Sequence, residues 1–327
     1  MEIRKYYFIV NPKAGNGKCI KKWRKLEERL LSLQVHYKVY YSKWPGHAME
    51  LAKKIAEDHA GKPIVLIAVG GDGTAHEVLN GIGTHPSITF SFIPGGSGND
   101  FSRGFSLPRE AGAALDDLIG KSAQDAEVFD CGRVSFPDSR NRLFINNMGV
   151  GFDALVSRKA NESRMKALFN RLSLGRLVYV YILLKELTSY KLKTIELTID
   201  GNRHIYEQTW FVTVSNQPFY GGGMIISPAA DTSDGILDIT VVHRLSRAKL
   251  LLVFMSVFWG KHIYFKEVHT FKGRNIAISS SSPVDVHTDG EYIGRTQLAN
   301  ARVLPGAFKI LSKLREQLIG GEANGFS

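Results

Sequence analysis

Short apolar runs alternate with amphipathic stretches through the first hundred residues. Tyr6 to Val10, Gln34 to Tyr41, Ile64 to Val69 and Ile88 to Pro94 have the length and bounding turn residues of buried strands. Between them, Lys18 to Leu33 puts Trp23, Leu26, Leu30 and Leu33 on one helical face, Gly46 to His59 reads as a second helix, and Ala75 to about Gly83 as a third. Strands alternating with helices of this length predict a parallel sheet flanked by helices. After Asp130 the rhythm changes. Cys131 to Phe136, Leu143 to Met148, Thr194 to Asp200, His204 to Val214, Gly235 to His243, Val268 to Phe271, Asn275 to Ser279 and Val284 to Thr288 predict an antiparallel sandwich. Asp200-Gly201-Asn202 and Asp289-Gly290 are its hairpin-turn candidates. Two helical stretches interrupt it, Gly151 to Leu187 with a break near Leu174-Gly175, and Ser246 to Trp259. The expected division is an α/β domain over 1–130 and a β-sandwich over 131–302, with 303–327 able to pack back on the first.

Each early strand runs into a loop of turn formers: Asn11-Pro12-Lys13-Ala14-Gly15, Gly70-Gly71-Asp72-Gly73-Thr74, and Pro94-Gly95-Gly96-Ser97-Gly98-Asn99-Asp100. In a parallel sheet these loops gather along the carboxyl edge, where ligands bind. Gly70, Gly71 and Gly73 allow left-handed backbone angles and close approach, and the following helix N-terminus favours an anion. Asp72 is the odd member, because a carboxylate repels an anion unless it holds a cation, orients donors or takes a proton. A bare helix cap is the competing reading of Asp72. The first loop is not a Walker A loop, since Gly17-Lys18 is followed by Cys19 and Pro12 stands where the first glycine belongs.

Composition sharpens this only in part. The formal charge is +11, and it is concentrated: Met1 to Lys54 holds thirteen Lys/Arg against four Asp/Glu, and Leu155 to Ile195 nine against two. Such a surface attracts nucleotides, nucleic acid or an anionic bilayer, but no nucleic-acid module is recognisable. Cys19 and Cys131 are the only cysteines, which argues against structural zinc and a disulfide framework. The apolar run before Asn11 is too short for a signal-peptide core, and Leu250 to Trp259 is about half the ~20 residues a membrane span needs. The expected location is cytoplasmic, with contact to membranes at their surface.

In order along the chain stand Asn11 to Gly15; Gly70 to Thr74 with Glu77; Pro94 to Phe101 with Arg103; Gly149-Val150-Gly151-Phe152-Asp153-Ala154; Gly221-Gly222-Gly223-Met224; Ser227 to Asp231 with Asp234-Gly235; and Asp289-Gly290-Glu291. This succession resembles the diacylglycerol kinase catalytic-domain family, in particular its soluble bacterial lipid kinases, which share a nucleotide fold with NAD kinases and sphingosine kinases. The resemblance runs from about Tyr6 to Leu311. It implies an NAD-kinase-like first domain and transfer of the ATP γ-phosphoryl group to a lipid hydroxyl, most plausibly that of diacylglycerol. By motif position, Asn11, Pro12, Lys13, Ala14, Gly15, Ser42, Gly70, Gly71, Asp72, Gly73, Thr74, Ala75, His76 and Ser97 would meet the nucleotide. Asp72, Asp100 and Asp130 would organise Mg²⁺ and water, while Asp234 with the carbonyls of Asp231 and Ile236 matches a second, structural Mg²⁺ loop. Glu291 matches the base, with Asp289 orienting it and Asp72 a rival for the role.

The chemistry asks for these residue types independently. Phosphoryl transfer needs donors on the phosphates, a divalent ion and one acceptor for the attacking hydroxyl's proton, and carboxylates two apart on a strand share a side. The residue-level alternative is that Asp289-Gly290 turns a hairpin and Glu291 is solvated. The sequence departs from the family pattern at His76, where Asn is usual, at Ser42 and Ser97, which replace Thr, and at Gly95, which replaces a bulkier apolar residue. Met165, Leu168, Phe169 and Leu172, ringed by Arg158, Lys159, Arg164, Lys166, Arg171 and Arg176, read either as a helix for an anionic membrane or as one packed on the sandwich. A nucleotide-cofactor kinase and a non-catalytic ATP- or lipid-binding regulator are the competing functions. Oligomeric state is open, a homodimer included.

Overall fold

The computed structural model describes residues 5–96, 100–122, 125–162 and 175–311. Strands β1 (Tyr6–Val10), β2 (Tyr37–Tyr41), β3 (Ile64–Gly70) and β4 (Ile88–Pro94) alternate with helices α1 (Lys18–Ser32), α2 (His47–Asp58) and α3 (Asp72–Ile82), followed by α4 (Asp100–Gly104) and α5 (Ala111–Gly120). β1 pairs with β2 and β3 in parallel register, and β3 pairs in parallel with β4. The period-two alternation of a strand sorts their side chains between two cores. Tyr7, Ile9, Leu66 and Ala68 meet Ala52, Ile55, Val78 and Leu79 of α2 and α3 on one face. Phe8, Val10, Ile67 and Val69 meet Trp23, Leu26 and Leu30 of α1 and Leu115 of α5 on the other.

The second half contains β5 (Ala126–Ser135), β6 (Asn141–Phe144), β7 (Asn147–Gly151), α6 (Phe152–Glu162), α7 (Gly175–Leu187), β8 (Lys193–Ile199), β9 (Asn202–Ser215), β10 (Phe219–Tyr220), β11 (Met224–Ile225), β12 (Leu237–His243), α8 (Arg247–Ser256), β13 (Val268–Gly273), β14 (Asn275–Thr288) and β15 (Glu291–Leu311). Its strand pairs are antiparallel, as in β12 with β9 and β13, and β14 with β7, β8 and β15. Val150, Leu197, Val212, Val214, Ile239 and Val286 fill the interior. A further cluster, Phe152, Val156, Leu183, Trp210, Val242, Leu250 and Val253, lies where α6, α7 and α8 cover the sandwich. Both hairpin turns form: Ile199 pairs with Asn202 across Asp200-Gly201, and Thr288 with Glu291 across Asp289-Gly290, all four turn residues having positive φ.

Three elements differ from the pattern reading. The expected strand Leu143 to Met148 is broken at Ile145-Asn146, because those amides turn away to bind Asp289. Asn275 to Thr288 is one strand with a register shift between Ser279 and Val284, not two. The longest strand, β15, carries no clean alternation. Its first part pairs with β14, its later part with β5, and Lys309 and Ile310 pair in parallel with β4 of the first sheet. Lys309 and Ile310 thus lie against the first sheet, while 312–327 and the amphipathic stretch Arg164 to Leu172 lie outside the described residues. Arg158, grouped with that stretch, points elsewhere: its Nε lies 3.0 Å from Asp285 Oδ1, and its guanidinium stacks on Tyr292.

Candidate active site

The loops after β1 and β3 are tied together at the sheet edge. Asn11 N donates to Val69 O (2.9 Å), Asn11 Nδ2 to Thr74 Oγ1 (3.1 Å) and Lys13 N to Asn11 Oδ1 (3.1 Å). Gly95 N donates to Gly70 O at 2.6 Å, joining the loop after β4. Left-handed backbone is not what Gly70, Gly71 and Gly73 provide, since none of them has positive φ. They provide space. A Cβ on Gly70 would strike the Thr74 side chain, one on Gly73 would lie 2.9 Å from Glu291 Oε1, and one on Gly96 would lie 2.7 Å from Gly71 Cα. Gly95 stands where a larger residue was expected because Cys19 Sγ presses on that position. Burial pushes the Cys19 thiol up to about 11, so it packs there as a neutral group.

One cleft of about 1320 Å³ joins the two halves of the molecule. At one end it is lined by Asn11, Lys13, Ala14, Gly15, Ser42, Gly71, Asp72, Gly73, Thr74 and Asp100. Across from these stand Asp289, Gly290 and Glu291 of the sandwich, and beyond them the wall becomes apolar, with Phe152, Val156, Leu183, Phe211, Val253 and Phe254. Pro12, Gly70 and Ala75 support the loops from outside the cleft lining, and Ser97 lies outside the described residues. Glu77, a motif residue without an expected role, caps α2: its carboxylate accepts from Gly46 N (2.9 Å) and Ala48 N (3.1 Å).

Two carboxylates enter the glycine-lined end. Asp72, in the first turn of α3, accepts from Phe101 N at 3.0 Å, which fixes α4 against it. Asp100, buried, accepts from Gly222 N (2.5 Å) and pairs with Arg103 Nη1 (2.6 Å). Asp130 does not join them. Its Oδ2 accepts from Gly235 N (2.7 Å) and its Oδ1 from Gly306 N (2.8 Å), so it fastens two backbone loops and lies outside the cleft.

The Asp289-Gly290 turn is held from every side, and it carries Glu291. Asp289 Oδ1 accepts from Asn146 N (2.8 Å) and Asn147 N (3.0 Å), and Oδ2 from Ile145 N (3.0 Å) and the His76 ring at Nδ1 (2.8 Å). Gly290 N donates to His287 Nδ1 (3.2 Å), which leaves the proton on Nε2, facing Asp153 Oδ2 at 3.3 Å. Ser157 Oγ donates to Gly290 O at 2.6 Å. Asp289 thus fixes the turn that precedes Glu291, its carboxylate being spent on the main chain and His76. His76 itself is buried beside the cleft and does not line it. Burial disfavours its charged form, but the hydrogen bond to Asp289 and the negative fields of Asp289, Glu291 and Glu77 outweigh that and raise its pKa. His287 and Ser157 were missed by sequence reasoning, and Asp153 was a motif residue without a role. The alternation Asp285, His287, Asp289 running into the turn is the signal that could have found His287; no sequence pattern marks Ser157.

The donor chemistry separates the two expected Mg²⁺ positions. Asp72 puts a hard carboxylate oxygen on the cleft wall, as a magnesium–triphosphate group requires, while the two oxygens of its neighbour Asp100 already face Arg103 Nη1 and Gly222 N. In the loop at Asp231 the carboxylate oxygens turn to the backbone and to a lysine. Asp231 Oδ1 accepts from Ser233 N (2.9 Å), Asp234 Oδ1 accepts from Ile236 N (3.0 Å), and Asp234 Oδ2 faces the Lys272 ammonium at 3.4 Å. Lys272 Nζ also donates to Ala229 O (3.2 Å) and lies 3.6 Å from Asp238 Oδ2. A built-in ammonium therefore balances this acidic loop. Among the described residues, no three His, Cys, Asp or Glu side chains converge as a metal cluster.

A glycine-lined edge of a parallel sheet, facing a carboxylate carried by a sandwich, defines a two-domain phosphotransferase. Comparison with known proteins gives the family. The model of the diacylglycerol kinase catalytic domain matches residues 5–131, and that of the YegS C-terminal NAD kinase beta sandwich-like domain matches residues 146–312. The chain is 33% identical over 293 residues to YtlR of Bacillus subtilis (strain 168), which is named as a lipid kinase, covering 89% of this chain and 94% of that one. It is 30% identical over 311 residues to a diacylglycerol kinase of Mycobacterium tuberculosis (strain ATCC 25618 / H37Rv), covering 95% and 96%. A crystal structure of a diacylglycerol kinase from Bacillus anthracis str. Sterne shares the fold with a TM-score of 0.68 at 21% identity, over 96% of this chain and 98% of that one. The chain belongs to the diacylglycerol kinase catalytic-domain family. No helix among the described residues is long and apolar enough to cross a membrane.

Proposed function

We propose that the protein transfers the γ-phosphoryl group of ATP to the hydroxyl of a membrane lipid, diacylglycerol first among the candidates, while resting on the membrane surface. The observation that carries this reading is the two-ended cleft. Its polar end combines glycine-loop amides, Asn11, Lys13 and Thr74 with the carboxylates Asp72 and Asp100, and its apolar end offers Phe152, Val156, Leu183, Phe211 and Phe254 to acyl chains. An aqueous nucleotide acceptor has no use for such a wall.

In this reading the loop amides and the N-terminus of α3 hold the phosphates. Mg²⁺, held by Asp72, would supply neutralisation of the triphosphate charge. Glu291 stands over Gly73 at the junction of the two ends, where a lipid hydroxyl would meet the γ-phosphorus. It accepts the hydroxyl proton as the lipid oxygen bonds to phosphorus and the bond to the β-phosphate oxygen breaks, releasing ADP. The apolar wall positions the alcohol and excludes water, which would otherwise compete as acceptor.

Incubation with radioactive ATP, Mg²⁺ and a panel of detergent-dispersed lipid alcohols tests this. Labelled lipid is expected, with none from Glu291→Ala. ATP binding without any labelled lipid, or formation of NADP from NAD, would overturn it.

A further inference from the structure

Helix α8 and the turn after it are apolar on two opposite sides. Leu250, Val253 and Val257, spaced i, i+3 and i+7, face inward and line the cleft. Leu252, Met255 and Trp259 repeat the same spacing on the outer side and are 66%, 54% and 66% exposed. Phe258 stands beside Trp259, and Tyr264, after the left-handed turn at Gly260, is 82% exposed. A helix apolar all round belongs in a core or at an apolar boundary, and this one has the cleft on one side only. Isolated exposed apolar residues are ordinary, whereas a contiguous group marks a contact surface.

We propose that the outer side of Arg247–Tyr264 is the surface by which the protein enters an anionic bilayer. The choice of occupant rests on charge. From Ile239 to Lys266 the chain carries five basic residues and no acidic one; Arg244 is paired with Glu207 and Lys249 with Glu267, which leaves Arg247, Lys261 and Lys266 to carry the basic rim. Arg247, Lys261 and Lys266 are exposed around the apolar side chains. Apolar residues ringed by cations fit lipid tails beneath anionic headgroups. A second copy of the chain fits poorly, because a two-fold contact would set this basic rim against itself. The placement is also economical: the inner stripe of the same helix lines the apolar end of the cleft, so insertion brings that end to the lipid. The inference rests on the lipid-kinase reading for its purpose but is measured without turnover.

The test is co-sedimentation of the full chain with phosphatidylcholine vesicles, with and without phosphatidylglycerol, in the absence of ATP. Wild type is expected to bind the anionic vesicles. Leu252→Ser/Trp259→Ser should weaken this roughly tenfold or more, since two apolar anchors are lost, while Trp259→Phe retains it. Lys261→Glu/Lys266→Glu should lose the preference for anionic vesicles. Phosphorylation of detergent-dispersed lipid by the Leu252→Ser/Trp259→Ser variant should match wild type, which also shows that it is folded. Vesicle binding by that variant at the wild-type level would overturn the proposal. So would a wild-type dimer in light scattering that this variant converts to monomer. Vesicle binding by a wild type that labels no lipid would leave this inference standing and sink the kinase reading instead.

Discussion

The His76 ring, at Nδ1, lies 2.8 Å from Asp289 Oδ2, joining the helix that follows the glycine loop to the turn that carries Glu291. The two residues are 213 positions apart, and both are buried. The contact therefore locks the two walls of the cleft to each other, at the place where the family usually has an amide.

Removing Asp289 should be costly for folding. Asp289→Ala strips acceptors from three main-chain amides and leaves the buried His76 ring without its partner, a loss of about 3 kcal/mol or more in urea unfolding. His76→Asn leaves the three amide bonds intact and should cost roughly 1–2 kcal/mol. Equal losses for both would show that the amide contacts contribute nothing.

The same pair gives a pH signature. The folded pKa of His76 lies above its ordinary 6.5, so the pair's contribution is complete below that pH and fades as pH rises through the folded value. The stability gap between wild type and His76→Asn should shrink toward alkaline pH. A gap constant across a urea series at different pH would mean that the ring is neutral throughout.

Glu291 and Gly73 should behave as one unit. Glu291→Gln is expected to lower turnover by about 10²–10⁴-fold with little change in melting temperature, because the side chain is exposed and its task is proton transfer. Gly73→Ala puts a methyl 2.9 Å from Glu291 Oε1 and should reduce kcat by displacing that carboxylate. Gly96→Ala meets backbone at Gly71 instead, 2.7 Å from its Cα, and should cost about 1–3 kcal/mol of stability as well. Wild-type turnover in Gly73→Ala would remove Glu291 from the reaction.

Asp238 should be a liability at neutral pH. Burial pushes its carboxyl up to about 6, against the attraction of Lys272. A raised carboxyl pKa means stability that is present below the ordinary 3.8 and lost as pH rises through about 6. Asp238→Asn should then gain about 2 kcal/mol at pH values above that range and nothing well below it, read from denaturation midpoints. In the same loop, Lys272→Met removes the ammonium that balances Asp234 and Asp238. That variant should melt at a lower temperature and recover with millimolar Mg²⁺, while wild type ignores the ion. Equal responses to Mg²⁺ in both proteins would mean that Lys272 does not take a cation's place.

The alternation of apolar runs with amphipathic helices was legible because strands β1, β3 and β4 are buried on both faces and bounded by glycine and proline, while β2 is half-exposed at the sheet edge. The glycine loops were legible for a related reason: ligand-facing loops use residue types that structure alone rarely selects. Glu291 was singled out by the family resemblance, since its turn by itself reads as a plain hairpin. What stayed hidden was partner choice across the chain. Asp130 looked like a metal ligand, but its acceptors' donors, Gly235 and Gly306, are amides that no side-chain pattern announces. Lys272 lay thirty-eight residues from the carboxylate it balances. Strand β15 escaped notice because it crosses from one core to another, and its alternation resets at the bulge between Leu304 and Phe308.

That crossing strand has a mechanical consequence. A single ribbon from Glu291 to Leu311 starts in the lining of the cleft and ends hydrogen-bonded to the first sheet at Thr89 and Phe90. β5 makes the same crossing beside it, with Ala126 to Phe129 against Phe308 to Leu311 and Cys131 to Ser135 against Asn300 to Leu304. The two lobes are thus seamed by a paired, two-stranded ribbon and not by a loose tether.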